Sequence, residues 1–376
     1  MTAPAPLAPR FTVDPWDPGY GLAFAEEAAA EGLAESTAQL DLDLEVPASR
    51  WRPLDPNPAL PLPETVLFAD GVRRIDARVW VHGGSAQPAA GIAASYAAGL
   101  VSCEGFQGVA LAGQHGDGAA RIVDVAVERG VFTAAKEAAE IVTRAARYPV
   151  RRAEGPGLDQ LSLALQQRLT DAEVRLAVAF RAGGTAATAA TAATAATAAG
   201  QSGADDLLVV DGPLRGRTHL ERTVGYIKTH HASYLPTAQA AVVAALAPGQ
   251  RTPAFIVGTS WRRGSWYLRL PGTPGVPWAG VVRLECSADL PPAEVSRLAD
   301  LTARVLPPLA SAPHKDPRAP QNLVPIGGLE RELRHRLGDQ QLLYRALRAA
   351  AVSPAVSPAT AHPAAPTPPA ASPPRG

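Results

Sequence analysis

Two stretches, Thr65-Val66-Leu67-Phe68-Ala69-Asp70-Gly71 and Leu207-Leu208-Val209-Val210-Asp211-Gly212, share one pattern: an apolar run closed by Asp-Gly. Runs this rich in apolar and β-branched residues, stopped by glycine, predict buried strands. A carboxylate at the end of such a strand lies where a sheet opens to solvent, between low-dielectric walls. Two of them on neighbouring strands repel unless a cation lies between them. Taken as a pair, Asp70 and Asp211 point to a metal site rather than to two ordinary turns.

Outward from these runs, the composition narrows the possibilities. The chain has 376 residues, with 35 Lys plus Arg against 35 Asp plus Glu, so no global field draws in nucleic acid and any such partner needs a local basic patch. The two cysteines, Cys103 and Cys286, make neither a disulfide framework nor a zinc site, and a reducing cytoplasm is expected. No basic-then-apolar secretory signal opens the sequence, and the longest uncharged apolar run, 238–247, is about half of what a membrane span needs.

The expected organisation is an N-terminal extension over 1–60, a main domain over 61–350 and a disordered Pro/Ala-rich tail over 351–376. Within the extension, 22–35 has helical composition and 40–46 alternates as a half-buried strand. Within the main domain, 64–113 reads as three antiparallel strands, the first ending at Asp70, the second covering 74–82 and the third within 94–112. Helices are expected over 131–147 and 158–179, then a strand at 207–210, a helix at 232–246 and a strand at 253–258. A late hairpin (266–270 with 280–286) and helices over 292–305 and 328–351 close the reading. The Thr-Ala-Ala repeats inside 183–203 read as a tolerant surface loop.

Three antiparallel strands with an acid on the first, a helix, then a strand ending in an acid is the layout of an RNase H-like mixed sheet flanked by helices, an α/β fold. In such nucleases the first and fourth strands bring carboxylates side by side, with further ligands from the intervening helix and a late helix. All-oxygen ligands suit Mg²⁺ or Mn²⁺. Phe68-Ala69-Asp70-Gly71, then 208–214 (Leu-Val-Val-Asp-Gly-Pro-Leu) and Val224-Gly225-Tyr226-Ile227-Lys228-Thr229 resemble the NurA nucleases, partners of HerA-type hexameric translocases, over roughly residues 64–340. The resemblance implies a DNA-end-processing nuclease acting in repair or defence. It implies Asp70, Glu173 and Asp211 as metal ligands, with Asp171 close enough to take the place of Glu173, and Lys228 orienting the scissile phosphate. It also implies a homodimer docked on a HerA-like hexameric ATPase. The family's late histidine has no counterpart at the expected step, which leaves Glu330, His335 or His314 to stand in.

Two basic segments could hold a phosphate backbone. Arg215, Arg217 and Arg222 follow Asp211 directly, and Arg262 and Arg263 lie among Trp261, Trp266 and Tyr267. Two other readings follow from the same residues. One is a catalytically decayed DNA-binding or scaffold subunit, raised by the missing histidine. The other is a phosphotransferase or ATPase, which would want more than the single glycine that follows Asp70.

Overall fold

The structure is a computed structural model that describes residues 38–82, 88–105, 120–183, 206–230, 234–272 and 278–352. In chain order its elements are β1 (Gln39–Asp41), β2 (Thr65–Val81), β3 (Ala89–Glu104), β4 (Arg121–Thr133), β5 (Ile141–Val142), β6 (Arg147–Tyr148) and β7 (Val150–Arg152). Then come α1 (Leu158–Arg181), β8 (Asp206–Asp211), β9 (Thr223–Ile227), α2 (Thr237–Ala244), β10 (Phe255–Gly258), β11 (Arg262–Arg269) and β12 (Val281–Ser287). Helices α3 (Pro292–Val305), α4 (Val324–Arg336) and α5 (Gln340–Val352) end the described chain.

One ten-stranded mixed sheet, ordered β1-β10-β11-β12-β9-β8-β2-β3-β4-β7, organises the molecule. Strands β2, β3 and β4 form an antiparallel meander, and β8 returns through α1 to pair parallel with β2, with β9 parallel to β8. The remaining strands extend the sheet antiparallel from β9. The chain is therefore α/β, with helices on both faces.

Strand alternation sorts side chains between those faces. Val66, Phe68 and Val72 of β2, Val209 of β8 and Val224 and Tyr226 of β9 point to one side, where they pack with Leu298 and Val305 of α3 and Ile326, Leu329 and Leu333 of α4. Leu67, Ala69, Leu208 and Val210 point to the other, against Ala177 of α1. Burying one large aliphatic side chain stabilises by about 1.5–3 kcal/mol. That is why strands covered on both faces read as continuous apolar runs rather than as alternations.

Three expectations are corrected. Asp70-Gly71 does not end a strand: β2 runs 17 residues, pairing with β3 throughout, so the first two expected strands are one. Gly71 serves close packing instead, since a Cβ there would lie 2.5 Å from Leu169 Cδ1 and 2.6 Å from Glu173 Oε1 of α1. The helix expected over 131–147 is absent. The segment completes β4 and forms the β5–β6 pair, because Val131 and Phe132 bury against β3 and β7 rather than along a helical stripe. The helix expected over 328–351 is two helices, broken at Gly338, whose φ of 78° suits glycine. The expected helix at 22–35, the repeats within 183–203 and nearly all of the tail lie outside the described residues.

Candidate functional site

The parallel pairing of β2, β8 and β9 fixes the geometry. Ala69 is level with Val210, so Asp70 is level with Asp211 on the neighbouring strand, roughly 5 Å away backbone to backbone. Asp211 is in turn level with Tyr226 of β9, and Lys228, two residues on, keeps the same face. All three residues project toward the α4 side. β8 stops at Asp211 while β2 continues to Val81, so the carboxylates stand where the cover given by β8 ends.

Asp70 is 7% exposed. Its carboxylate accepts the Gly71 N–H at 2.7 Å. Burial pushes the Asp70 carboxyl well above its usual range; the Asp211 charge adds to this, Lys228 opposes it, and Glu173 and Glu330 add further. Lys228 gives Asp211 its counter-charge instead: Nζ donates to Asp211 Oδ2 at 2.7 Å and to Asn322 Oδ1 at 3.0 Å. The Tyr226 hydroxyl, buried and near Asp211, is also held well above its usual value, and it donates to the Gln321 carbonyl at 2.5 Å.

Glu330 reaches this cluster from α4. Burial pushes its carboxyl up, but hydrogen bonds from Arg318 and Arg334 and the charge of Lys228 outweigh burial and hold it below the usual range. His314 and His335 are exposed. Glu173 stands apart from the other acids. It lies on the α1 side of the sheet, against Gly71, with its carboxylate engaged by the buried Arg217. Burial still raises its carboxyl, despite the opposing Arg217.

The arginines divide in the same way. Arg215 and Arg262 are exposed. Arg217 is committed to Glu173 and the Pro213 carbonyl, and Arg222 pairs with Asp206 at 3.0 Å. Arg263 is buried, 2.7 Å from Glu285, with its guanidinium over the rings of Trp261 and Tyr234. A buried arginine and a surface arginine look alike in a sequence, so this division is seen only in the fold.

Sequence reasoning missed Asn322, which holds Lys228 from the segment before α4, and Asp316, which holds Asn322; a loop has no periodicity to mark them. Among the described residues, no three His, Cys, Asp or Glu side chains stand close enough to close on one ion. The donors that do converge, Asp70 and Asp211, are hard oxygens, and Asp70 makes no ion pair among the described residues. Such a pair suits a hard ion that keeps several of its waters, as Mg²⁺ does. No protein-family model matches the chain, and no curated protein matches it at a significant level.

Proposed function

We propose that the protein is a divalent-metal-dependent nuclease that hydrolyses phosphodiester bonds at DNA ends, with strands β4-β3-β2-β8-β9 and α1 as an RNase H-like core. The observation that carries the reading is the level placement of Asp70 and Asp211 on adjacent parallel strands, facing one way with Lys228 beside them. Asp70 and Asp211 hold the ion, Mn²⁺ or Mg²⁺, and Glu330, held by Arg318 and Arg334, adds negative charge from the late helix. Glu173 acts from the far face, through its charge. Bound there, the ion supplies an activated water and stabilises charge on the phosphodiester. Lys228 places a cation for a non-bridging phosphate oxygen. Arg215, exposed just after Asp211, guides the backbone toward the site, whereas Arg262 lies three strands away at the start of β11. A homodimer and a HerA-like ATPase partner, acting with it in repair or defence, rest on the sequence resemblance alone, and a cytoplasmic location rests on the cysteine usage.

A second reading, a DNA-binding or scaffold subunit without catalysis, draws on the lysine that already neutralises Asp211 and on the want of a three-ligand cluster among the described residues. Purified protein is incubated with linear single- and double-stranded DNA and Mn²⁺ or Mg²⁺, beside Asp70→Ala and Asp211→Asn. Metal-dependent cleavage by the wild type and its loss in both variants supports the nuclease. DNA binding with equal background cleavage in all three leaves the scaffold.

A further inference from the structure

We propose that Asn322 is the positioning residue for Lys228, and that Asp316 sets which way round Asn322 lies. The proposal rests on the nuclease reading for what Lys228 does, and on geometry alone for how it is held.

A lysine ammonium on a four-carbon stem has many rotamers, and a single ion pair seldom fixes it. Here Nζ has two acceptors from different parts of the chain, Asp211 Oδ2 at 2.7 Å and Asn322 Oδ1 at 3.0 Å. The second contact works only if the amide of Asn322 presents oxygen to the lysine. The two ends of an amide are nearly alike in shape, so partners decide the orientation. Asn322 Nδ2 donates to Asp316 Oδ2 at 2.7 Å. Asp316 as a carboxylate only accepts and Lys228 only donates, so turning the amide over would lose both bonds.

The surroundings hold this arrangement firmly. Asn322 is fully buried, and its N–H donates to the Arg318 carbonyl at 3.0 Å. Asp316 Oδ1 accepts the Arg318 N–H at 2.8 Å. Next door, the Gln321 carbonyl takes the hydroxyl of Tyr226, two residues before Lys228. Gly327 in the first turn of α4 leaves the needed room: a Cβ there would lie 2.9 Å from Asp316 Oδ2 and 3.1 Å from Asn322 Nδ2. The segment before α4 thus grips the end of β9 at two points, and a relay of alternating acceptor and donor runs from Asp316 through Asn322 and Lys228 to Asp211.

The chain has three lysines, Lys136, Lys228 and Lys315, and the first and last are exposed. Trace acetylation followed by mass spectrometry therefore reads Lys228 against an internal reference. In the wild type Lys228 should react at least about 10-fold more slowly than Lys136, as expected for an amine held by charge-assisted bonds. Asn322→Leu and Asp316→Ala should each raise the Lys228 rate about 10-fold, with Lys136 unchanged. Asp316 is partly exposed, so its variant keeps the test open if Asn322→Leu fails to fold. In DNA cleavage, Asn322→Leu should lower kcat about 10- to 100-fold. Combined with Lys228→Met it should be no slower than Lys228→Met alone, because Asn322 acts through the lysine. An unchanged Lys228 rate in the folded variants, or losses that multiply in the double variant, overturns the proposal. A wild type that cuts no DNA sinks the nuclease reading, while the acetylation rates still decide whether Asn322 holds Lys228.

Discussion

Replacing Asp70 by asparagine should stabilise the protein near neutral pH. The substitution keeps shape and removes one buried charge. With strands about 5 Å apart and an effective dielectric near 20, the Asp70–Asp211 repulsion is about 3 kcal/mol. Lys228, one strand further away on Asp211, returns about 2 kcal/mol of attraction at a separation of roughly 7 Å. The residue of about 1 kcal/mol, together with the burial cost of the carboxylate, gives an expected gain of about 1–3 kcal/mol. The pH dependence has a definite sign. A carboxyl raised in the folded state binds its proton more tightly there than in the unfolded chain. The wild type therefore loses stability as pH rises from the ordinary carboxylate range through the folded value, and below the unfolded value the penalty is gone. Urea denaturation in chelator, followed by tryptophan fluorescence at pH 4 and pH 8, measures it. The variant's midpoint should exceed the wild type's by roughly 0.5 M at pH 8 and match it at pH 4. A variant less stable than the wild type at pH 8, or an equal gain at both pH values, would show that the carboxylate is not the strained group described above.

Glu173→Gln leaves Arg217 buried without its counter-charge and should cost about 3–5 kcal/mol, most of it recovered in Glu173→Leu/Arg217→Met, by urea denaturation of the three chains. Gly225→Ala places a Cβ 2.8 Å from the Leu214 backbone N and 2.9 Å from the Gly212 carbonyl, neither of which can swing aside; a loss of about 1–3 kcal/mol on thermal melting is expected. Cys103 and Cys286 are buried, and burial pushes both thiols up to about 12; neither should react with a disulfide reagent within minutes at pH 8 until denaturant is added, and fast native labelling would contradict their placement.

What could be read in advance follows from the range of each interaction. The run at 207–210 and Asp211 announce β8 because burial on both faces leaves a local trace, and the helix expected at 158–179 is α1, whose buried Leu161, Leu165, Leu169, Ala172 and Leu176 recur at helical spacing. Asp70 and Asp211 could be paired on paper because each closes an apolar run. The continuation of β2 past Gly71 could not, since it depends on β3 partners such as Ala98 and on a helix a hundred residues away. The stretch 134–140 is rich in Ala, Glu and Lys and has helical composition, while the pairing that decides Val131 and Phe132 is long-range. Lys228 was legible through its rarity. Asn322, 94 residues further on, was not, because nothing local distinguishes it from any other loop asparagine.

The rims of the great sheet are also informative. Its outermost strands, β1 and β7, have three residues each, and β7 ends in two arginines. Because β7 pairs only with residues 131–133 of β4, residues 121–130 of that strand form an open border among the described residues, and its charged Arg121, Asp124, Glu128 and Arg129 oppose pairing with another chain. The longest stretch of β2 left without a partner on one side, beyond Ala69, lies inward beside the acidic pair. Fibre-forming tendency should therefore respond more to changes at that inner notch, or to loss of the charges along β4, than to changes in β1 or β7 themselves.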